Sequence, residues 1–301
     1  MGESRSGFVA LIGEPNVGKS TLLNRLVGSK LSIVTHKVQT TRSRIRGVTV
    51  HGESQIVLID TPGLFAPRRR LDRAMVKAAW AALADADAAV LLIEANRGLT
   101  AGASNILERL ASNNSYRPSL SIAVNKIDRV RPEQLLPLAR AVQSYDFVDA
   151  VLFISAANGS GLHELLEWLA SKVPEGPWLY PEDQIADLPM RFLAAEITRE
   201  KLLLRLHQEI PYQLTVETEI WKELRNGSTR IEQVIYVARE NHRRIALGPR
   251  GETIKAICMA ARNDIEKLVG SEIHLFLRVK LREKWMEESM RYAEIGLDFS
   301  G

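Results

Sequence analysis

The chain has 301 residues, enough for two domains of ordinary size, and is 46% apolar and 25% charged. That composition excludes collagen, coiled coil and disorder as main themes. The single cysteine, Cys258, excludes an internal disulfide or a cysteine-rich metal centre, and no apolar run approaches the ~20 residues of a membrane span. The net charge of +4 is uneven: residues 1–175 carry 21 Lys/Arg against 16 Asp/Glu, and the remainder 19 against 20. Any nucleic-acid surface in the second half must therefore be a local cluster.

In chain order, short β-branched apolar runs at Phe8–Ile12, Ile56–Ile59, Ala89–Ile93, Leu120–Val124 and Val151–Ile154 predict strands buried on both faces. Helical stretches fall between them at Lys19–Val27, Leu71–Ala84, Ser104–Ala111, Glu133–Ser144 and Leu162–Val173. Ile45–His51 reaches Ile56 through only a short turn at Gly52, which allows a hairpin and no helical crossover. The expected fold of residues 1–173 is a doubly wound α/β sheet with one antiparallel strand. Pro174, Pro177, Pro181 and Pro189 mark residues 174–190 as a linker. Residues 191–301 predict a smaller α+β domain. Its helix Ala194–Gln208 precedes strands Gln213–Trp221 and Ile231–Arg239, joined through Asn226 and Gly227. Helices near Glu252–Leu268 and Glu283–Ala293 then flank a strand at Ile273–Val279.

The chemistry sits at strand ends. GEPNVGKS, with the threonine after it, comprises Gly13, Glu14, Pro15, Asn16, Val17, Gly18, Lys19, Ser20 and Thr21. It fits G-x-x-x-x-G-K-[ST] between a strand and a helix, where backbone N–H groups cradle phosphates. Lys19 is expected on the β- and γ-phosphates and Ser20 on magnesium. Asp60, Thr61, Pro62, Gly63 and Leu64 follow the next strand. Asp60 would hold magnesium through water, and the Gly63 N–H would meet a γ-phosphate. Asn125, Lys126 and Asp128 form NKID; the Asp128 carboxylate accepts from guanine N1–H and N2–H₂, a donor pair adenine lacks. The backbone of Ser155 and Ala156 would contact guanine O6.

In the second half, Gly248, Pro249, Arg250 and Gly251 form a G-x-x-G turn before a helix, which lets backbone approach a nucleic-acid strand. Arg243, Arg244, Arg250 and Lys255 supply positive charge. Ile245, Leu247, Ile254 and Ile257 are candidates for the floor of a groove for unpaired bases. Arg68, Arg69 and Arg70 read as a solvated segment, and the six histidines show no metal-ligand spacing.

The four nucleotide motifs, in order and each at a strand end, resemble the translation-factor-like P-loop GTPases over residues 7–173. The resemblance implies a loop threonine completing the magnesium shell, Thr41 in preference to Thr40, so that Lys19, Thr41 and Gly63 are the candidate catalytic groups. Leu64 occupies the place where Ras-like proteins carry a water-orienting glutamine, which implies slow turnover. Asn16 stands where some relatives ligate K⁺. The second half resembles a type II KH domain.

The combination resembles the Era family of bacterial ribosome-assembly GTPases over the whole chain, through GEPNVGKS, QTTR, DTPGL, NKID, SAANGSG and GPRGETIKAI. That implies GTP/GDP and Mg²⁺ as ligands. It implies the 3′ end of small-subunit ribosomal RNA and the small ribosomal subunit as partners, and a monomer in the cytoplasm with peripheral contact to the inner membrane. Glu14, where arginine is frequent, and Glu252, beside the G-x-x-G turn, depart from the family pattern. Two alternatives remain: a GTPase whose second domain binds protein or membrane, and an NTP-consuming kinase, which lacks a candidate acceptor pocket and base.

Overall fold

The computed structural model describes residues 4–37, 40–112, 118–206, 210–289, 292 and 296–299. The chain divides into two compact units. One comprises residues 1–32, 41–187 and 295–301, and the other residues 33–40 and 188–294.

The first unit carries β1 (Arg5–Gly13), α1 (Lys19–Val27), β2 (Ile45–His51), β3 (Ser54–Asp60), α2 (Arg70–Ala84), β4 (Ala88–Glu94), α3 (Ala101–Ser112), β5 (Ser119–Asn125), α4 (Leu135–Gln143), β6 (Ala150–Phe153) and α5 (Leu162–Lys172). The sheet order is β2-β3-β1-β4-β5-β6. Only the β2–β3 pair is antiparallel, with Val48 opposite Val57. β3 is buried along its whole length and β4 along all but its last residue, because both faces of the sheet are covered. Since β1 lies between β3 and β4, the strand order reverses there, and the loops after these strands open into one crevice.

The proline-rich segment is not free. From Pro174 to Asp187 it runs along the edge of the sheet. Ser6 N–H donates to Pro174 O (3.0 Å), Val48 N–H to Ile185 O (2.9 Å), and Gly47 pairs with Ala186. Gln55, fully buried in β3, accepts from the N–H groups of Leu179 (2.8 Å) and Tyr180 (3.0 Å) and donates to Tyr180 O (2.8 Å). The strap thus satisfies backbone groups of β2, the edge strand, with a segment too rich in proline to continue a sheet outward.

The second unit carries α6 (Met190–Arg205), β7 (Leu214–Glu223), β8 (Thr229–Val237), α7 (Glu240–Leu247), α8 (Glu252–Val269) and β9 (Ile273–Leu281). β7 and β8 form the antiparallel hairpin expected at Asn226–Gly227, and β9 adds parallel to β8. Leu202, Leu214, Ile235 and Ile257 build one part of its core; Ile197, Ala261, Ile265 and Ile273 build another. Three expectations need correction. α6 starts four residues earlier than anticipated, directly after Pro189, whose fixed φ suits a helix start; Gln208, its expected end, lies outside the described residues. α7 was not anticipated, because its eight residues carry only His242 and Ala246 on the buried side. The helix expected over 283–293 begins as a single 3₁₀ turn, Trp285–Glu287, whose indole is buried and donates to Gln213 O (3.2 Å); much of the remainder lies outside the described residues.

The second unit includes Ile33–Thr40. Within it, Val34 N–H donates to the Glu200 carboxylate (3.0 Å), and the Arg199 guanidinium pairs with Glu196 (2.6 Å) and donates to the Thr40 carbonyl. Among the described residues, no helix is long and apolar enough to cross a membrane.

Replacing Gln55 with alanine strands three backbone groups of the strap. The expected result is a loss of about 2 kcal/mol in the unfolding free energy, with faster limited proteolysis between Gly176 and Asp187, measured by denaturant melts and peptide mapping.

Candidate functional site

The loop from Gly13 to Lys19 wraps the end of β1. Gly18 has φ 105, and a Cβ there would collide with the Asn125 side-chain amide, so only glycine lets NKID close on this loop. No side chain caps the α1 N-terminus. Its first N–H groups and the positive end of its dipole are left for an anion. Lys19 is buried, and its ammonium donates to the carbonyls of Gly13 (3.1 Å) and Glu14 (2.9 Å). Burial lowers its pKa to about 8, partly offset by the Asp60 and Glu14 carboxylates. The Glu14 side chain turns away and accepts from the Thr100 hydroxyl before α3.

Asp60, the last residue of β3, is fully buried, and burial raises its pKa. Its Oδ2 accepts from Ser20 (2.6 Å), Ser32 (2.7 Å) and Thr41 (3.3 Å), while Oδ1 is buried with no hydrogen-bond partner among the described residues. The Ser20 and Thr41 hydroxyl oxygens lie 2.9 Å apart. Adjacent ligands of an octahedral magnesium with bonds of about 2.1 Å lie about 3 Å apart. Two hydroxyls at that spacing beside an unpartnered carboxylate oxygen fit a hard divalent cation. Thr40 is elsewhere: its hydroxyl pairs with Thr35 (2.7 Å) and the Lys37 carbonyl (2.6 Å). Beyond Asp60, Thr61 donates to Leu11 O (2.7 Å), and the Leu64 N–H donates to Gly13 O (2.9 Å), drawing the Pro62–Gly63 turn against the phosphate loop. The Leu64 side chain is buried in the core, so it orients no water in the crevice.

Asn125 links the motifs. Its amide donates to Val17 O (2.8 Å) and its carbonyl accepts from Ala156 N–H (3.0 Å). Within the Ser155–Ala156 backbone expected at guanine O6, the Ala156 N–H bonds to Asn125. Lys126, at φ 65, donates to Asn16 O (2.8 Å) and pairs with Glu94 (2.8 Å). The Ser155 hydroxyl donates to Asp128 Oδ1 (2.5 Å) and sets that carboxylate's orientation. Sequence reasoning missed Ser32, Asn24 and Glu94. None lies in a motif: Ser32 and Glu94 act through Asp60 and Lys126, distant in sequence, and Asn24 acts through the Leu31–Ser32 backbone that its side chain holds.

In the second unit, Gly248 ends α7 and Gly251 precedes α8, with φ 73 and 78; Arg250 between them also has positive φ. A Cβ on Gly248 would collide with Thr253. No side chain caps the α8 N-terminus. Arg243, Arg244, Pro249, Arg250, Glu252 and Lys255 are exposed. The apolar floor is smaller than anticipated. Ile257 is 1% exposed and belongs to the core, because α8 turns it inward, while Ile245 is 46% exposed, and Leu247 and Ile254 are half-buried.

A family model described as a 50S ribosome-binding GTPase matches residues 8–126, and a KH domain model matches residues 209–286. The GTPase Era of Dinoroseobacter shibae is 59% identical over 297 residues, spanning 98% of this chain and 96% of that protein. The GTPase Era of Rhizobium meliloti is 57% identical over 296 residues, spanning 98% and 94%. Among solved structures, Era in complex with MgGDPNP and nucleotides 1506–1542 of 16S ribosomal RNA matches with a TM-score of 0.92 at 35% identity, over 97% of this chain and 99% of that one. A single-substitution variant of Aquifex aeolicus Era bound to GDP and AlF₄⁻ matches at 0.91, with the same identity and coverage. Identity above one half, sustained from the phosphate loop through the KH domain, settles the kinship: the chain belongs to the Era family of GTPases and hydrolyses GTP to GDP and phosphate.

Proposed function

We propose that this GTPase is a nucleotide-operated switch on small-subunit ribosomal RNA. Its KH domain binds single-stranded RNA near the 3′ end in step with the GTP state, and the protein acts in rRNA processing and small-subunit assembly. The observation that carries this reading is the full-length match to an Era solved with both a GTP analogue and a 16S RNA segment. The description of the matching GTPase family model names the 50S subunit instead. The full-length match has more weight, because it includes the KH domain that would contact RNA.

In this reading the N–H groups of the Gly13–Ser20 loop and Lys19 bind the phosphates, and the anionic substrate keeps the buried lysine protonated. Ser20 and Thr41 would hold magnesium directly and Asp60 through water, and the ion would supply positive charge to offset that of the phosphates. Asn125 and Lys126 hold the base loop to the phosphate loop, and Asp128 reads guanine. The Gly63 N–H meets the γ-phosphate. The attacking water bonds to the γ-phosphorus as the bond to the β–γ bridging oxygen breaks, and GDP leaves. With Leu64 in the core, no side chain at that position steers the water, so intrinsic turnover is slow. K⁺, if held at Asn16, would supply positive charge beside the phosphates. The residues that precede Thr41 are grouped with the second unit, which supports coupling of GTP-dependent ordering to the RNA-binding domain. Arg243, Arg244, Arg250 and Lys255 meet RNA phosphates, and the Gly248–Gly251 turn allows close approach. The protein works as a cytoplasmic monomer with peripheral contact to the inner membrane.

Three outcomes follow from these roles. Asp128→Ala should reduce the preference for GTP over ATP by about a hundredfold or more, read by competition with a fluorescent nucleotide. GTP turnover should be faster in K⁺ than in Na⁺ and lose that difference in Asn16→Ala; equal rates in the native protein remove the potassium role. A labelled single-stranded RNA matching the small-subunit 3′ end should bind about tenfold tighter with a non-hydrolysable GTP analogue than with GDP. The Gly248→Asp/Gly251→Asp variant should lose that binding. Absence of binding in either nucleotide state would remove the RNA half of the reading and leave the GTPase.

A further inference from the structure

Ser32 belongs to none of the nucleotide motifs, yet it is fully buried and its hydroxyl donates to Asp60 Oδ2 at 2.7 Å. Its backbone is held on both sides by one side chain of α1. Asn24 Oδ1 accepts from the N–H groups of Leu31 (2.9 Å) and Ser32 (2.8 Å), and Asn24 Nδ2 donates to Ser32 O (2.7 Å). Of the three hydroxyls on Oδ2, those of Ser20 and Thr41 are also placed to ligate a cation. Ser32 has only the carboxylate. It is therefore a donor that no nucleotide or metal draws away.

We propose that Ser32, clamped by Asn24, is a positioning residue for magnesium: it pins Asp60 through Oδ2 so that Oδ1, buried without a partner, is the oxygen presented to the metal shell. Such outer groups commonly set metal affinity by fixing the orientation of the groups that act on the metal. The inference rests on the reading of Asp60 as the metal-side carboxylate.

The test uses the full-length protein loaded with fluorescent GDP, with nucleotide release followed as Mg²⁺ is titrated. Ser32→Ala removes one hydroxyl and keeps the backbone that Asn24 holds. It should raise the Mg²⁺ concentration that half-suppresses release by about tenfold, while release in EDTA stays at the native rate. An unchanged half-saturation overturns the proposal. So does faster release in EDTA, since that reports damage to the pocket as a whole. Asp60→Ala separates the two readings: if it shifts the Mg²⁺ dependence and Ser32→Ala does not, only the role of Ser32 fails. If neither shifts it, the assignment of Asp60 fails as well.

Discussion

A carboxylate without solvent lies at the heart of the candidate nucleotide site. Asp60 ends a strand buried along its whole length, and a charge in such a place is costly unless hydrogen bonds and a counter-charge accompany it. Three hydroxyls meet one oxygen, and among the described residues the other has no hydrogen-bond partner. The arrangement is incomplete as a structural device and fits the cation site proposed for it. The buried Lys19 ammonium and the Asp60 carboxylate partly offset one another.

The surrounding loops are held by contacts that do not themselves touch the phosphates in the proposed mechanism. Asn125 bonds to the phosphate loop on one side and to Ala156 on the other, Lys126 ties Asn16 to Glu94, and Leu64 N–H closes on Gly13. Four strand ends thereby become one crevice with little freedom, which lowers the cost of ordering a bound nucleotide. The second unit uses the same economy on a smaller scale. A turn with consecutive positive φ values at Arg250 and Gly251 exposes an uncapped helix start. The basic residues around it concentrate charge in a half of the chain whose net charge is slightly negative. Both proposed ligand surfaces therefore rest on backbone N–H groups, with charged side chains as supplements.

The proline-rich stretch shows where composition misleads. Pro174, Pro177 and Pro181 exclude regular structure, and a solvated linker is the natural reading. Gln55, buried within β3, converts that stretch into a strap along the edge of the sheet. Nothing in the local sequence announces this, because the partner lies more than a hundred residues away. The same reason hid Ser32, whose importance is a relation to Asp60 rather than a property of its neighbours. It also concealed that Ile257 is core while Ile245 is exposed: the two share a chemical type and differ only in which side of a helix packs inward.

By itself the sequence determined what period and motif can encode. The buried strands follow from unbroken apolar runs, the phosphate loop from glycines placed between a strand and a helix, and the proposed base-reading carboxylate from its position after a strand. These are local properties, set by backbone sterics and by burial on both faces of a sheet. Only the tertiary structure decided which hydroxyls meet Asp60, that Ser32 is one of them, that Asn125 takes the Ala156 N–H, and that the strap covers β2. Each of those depends on atoms brought within about 3 Å by packing between distant segments, and hydrogen bonds of that length leave no trace in the spacing of residues along the chain.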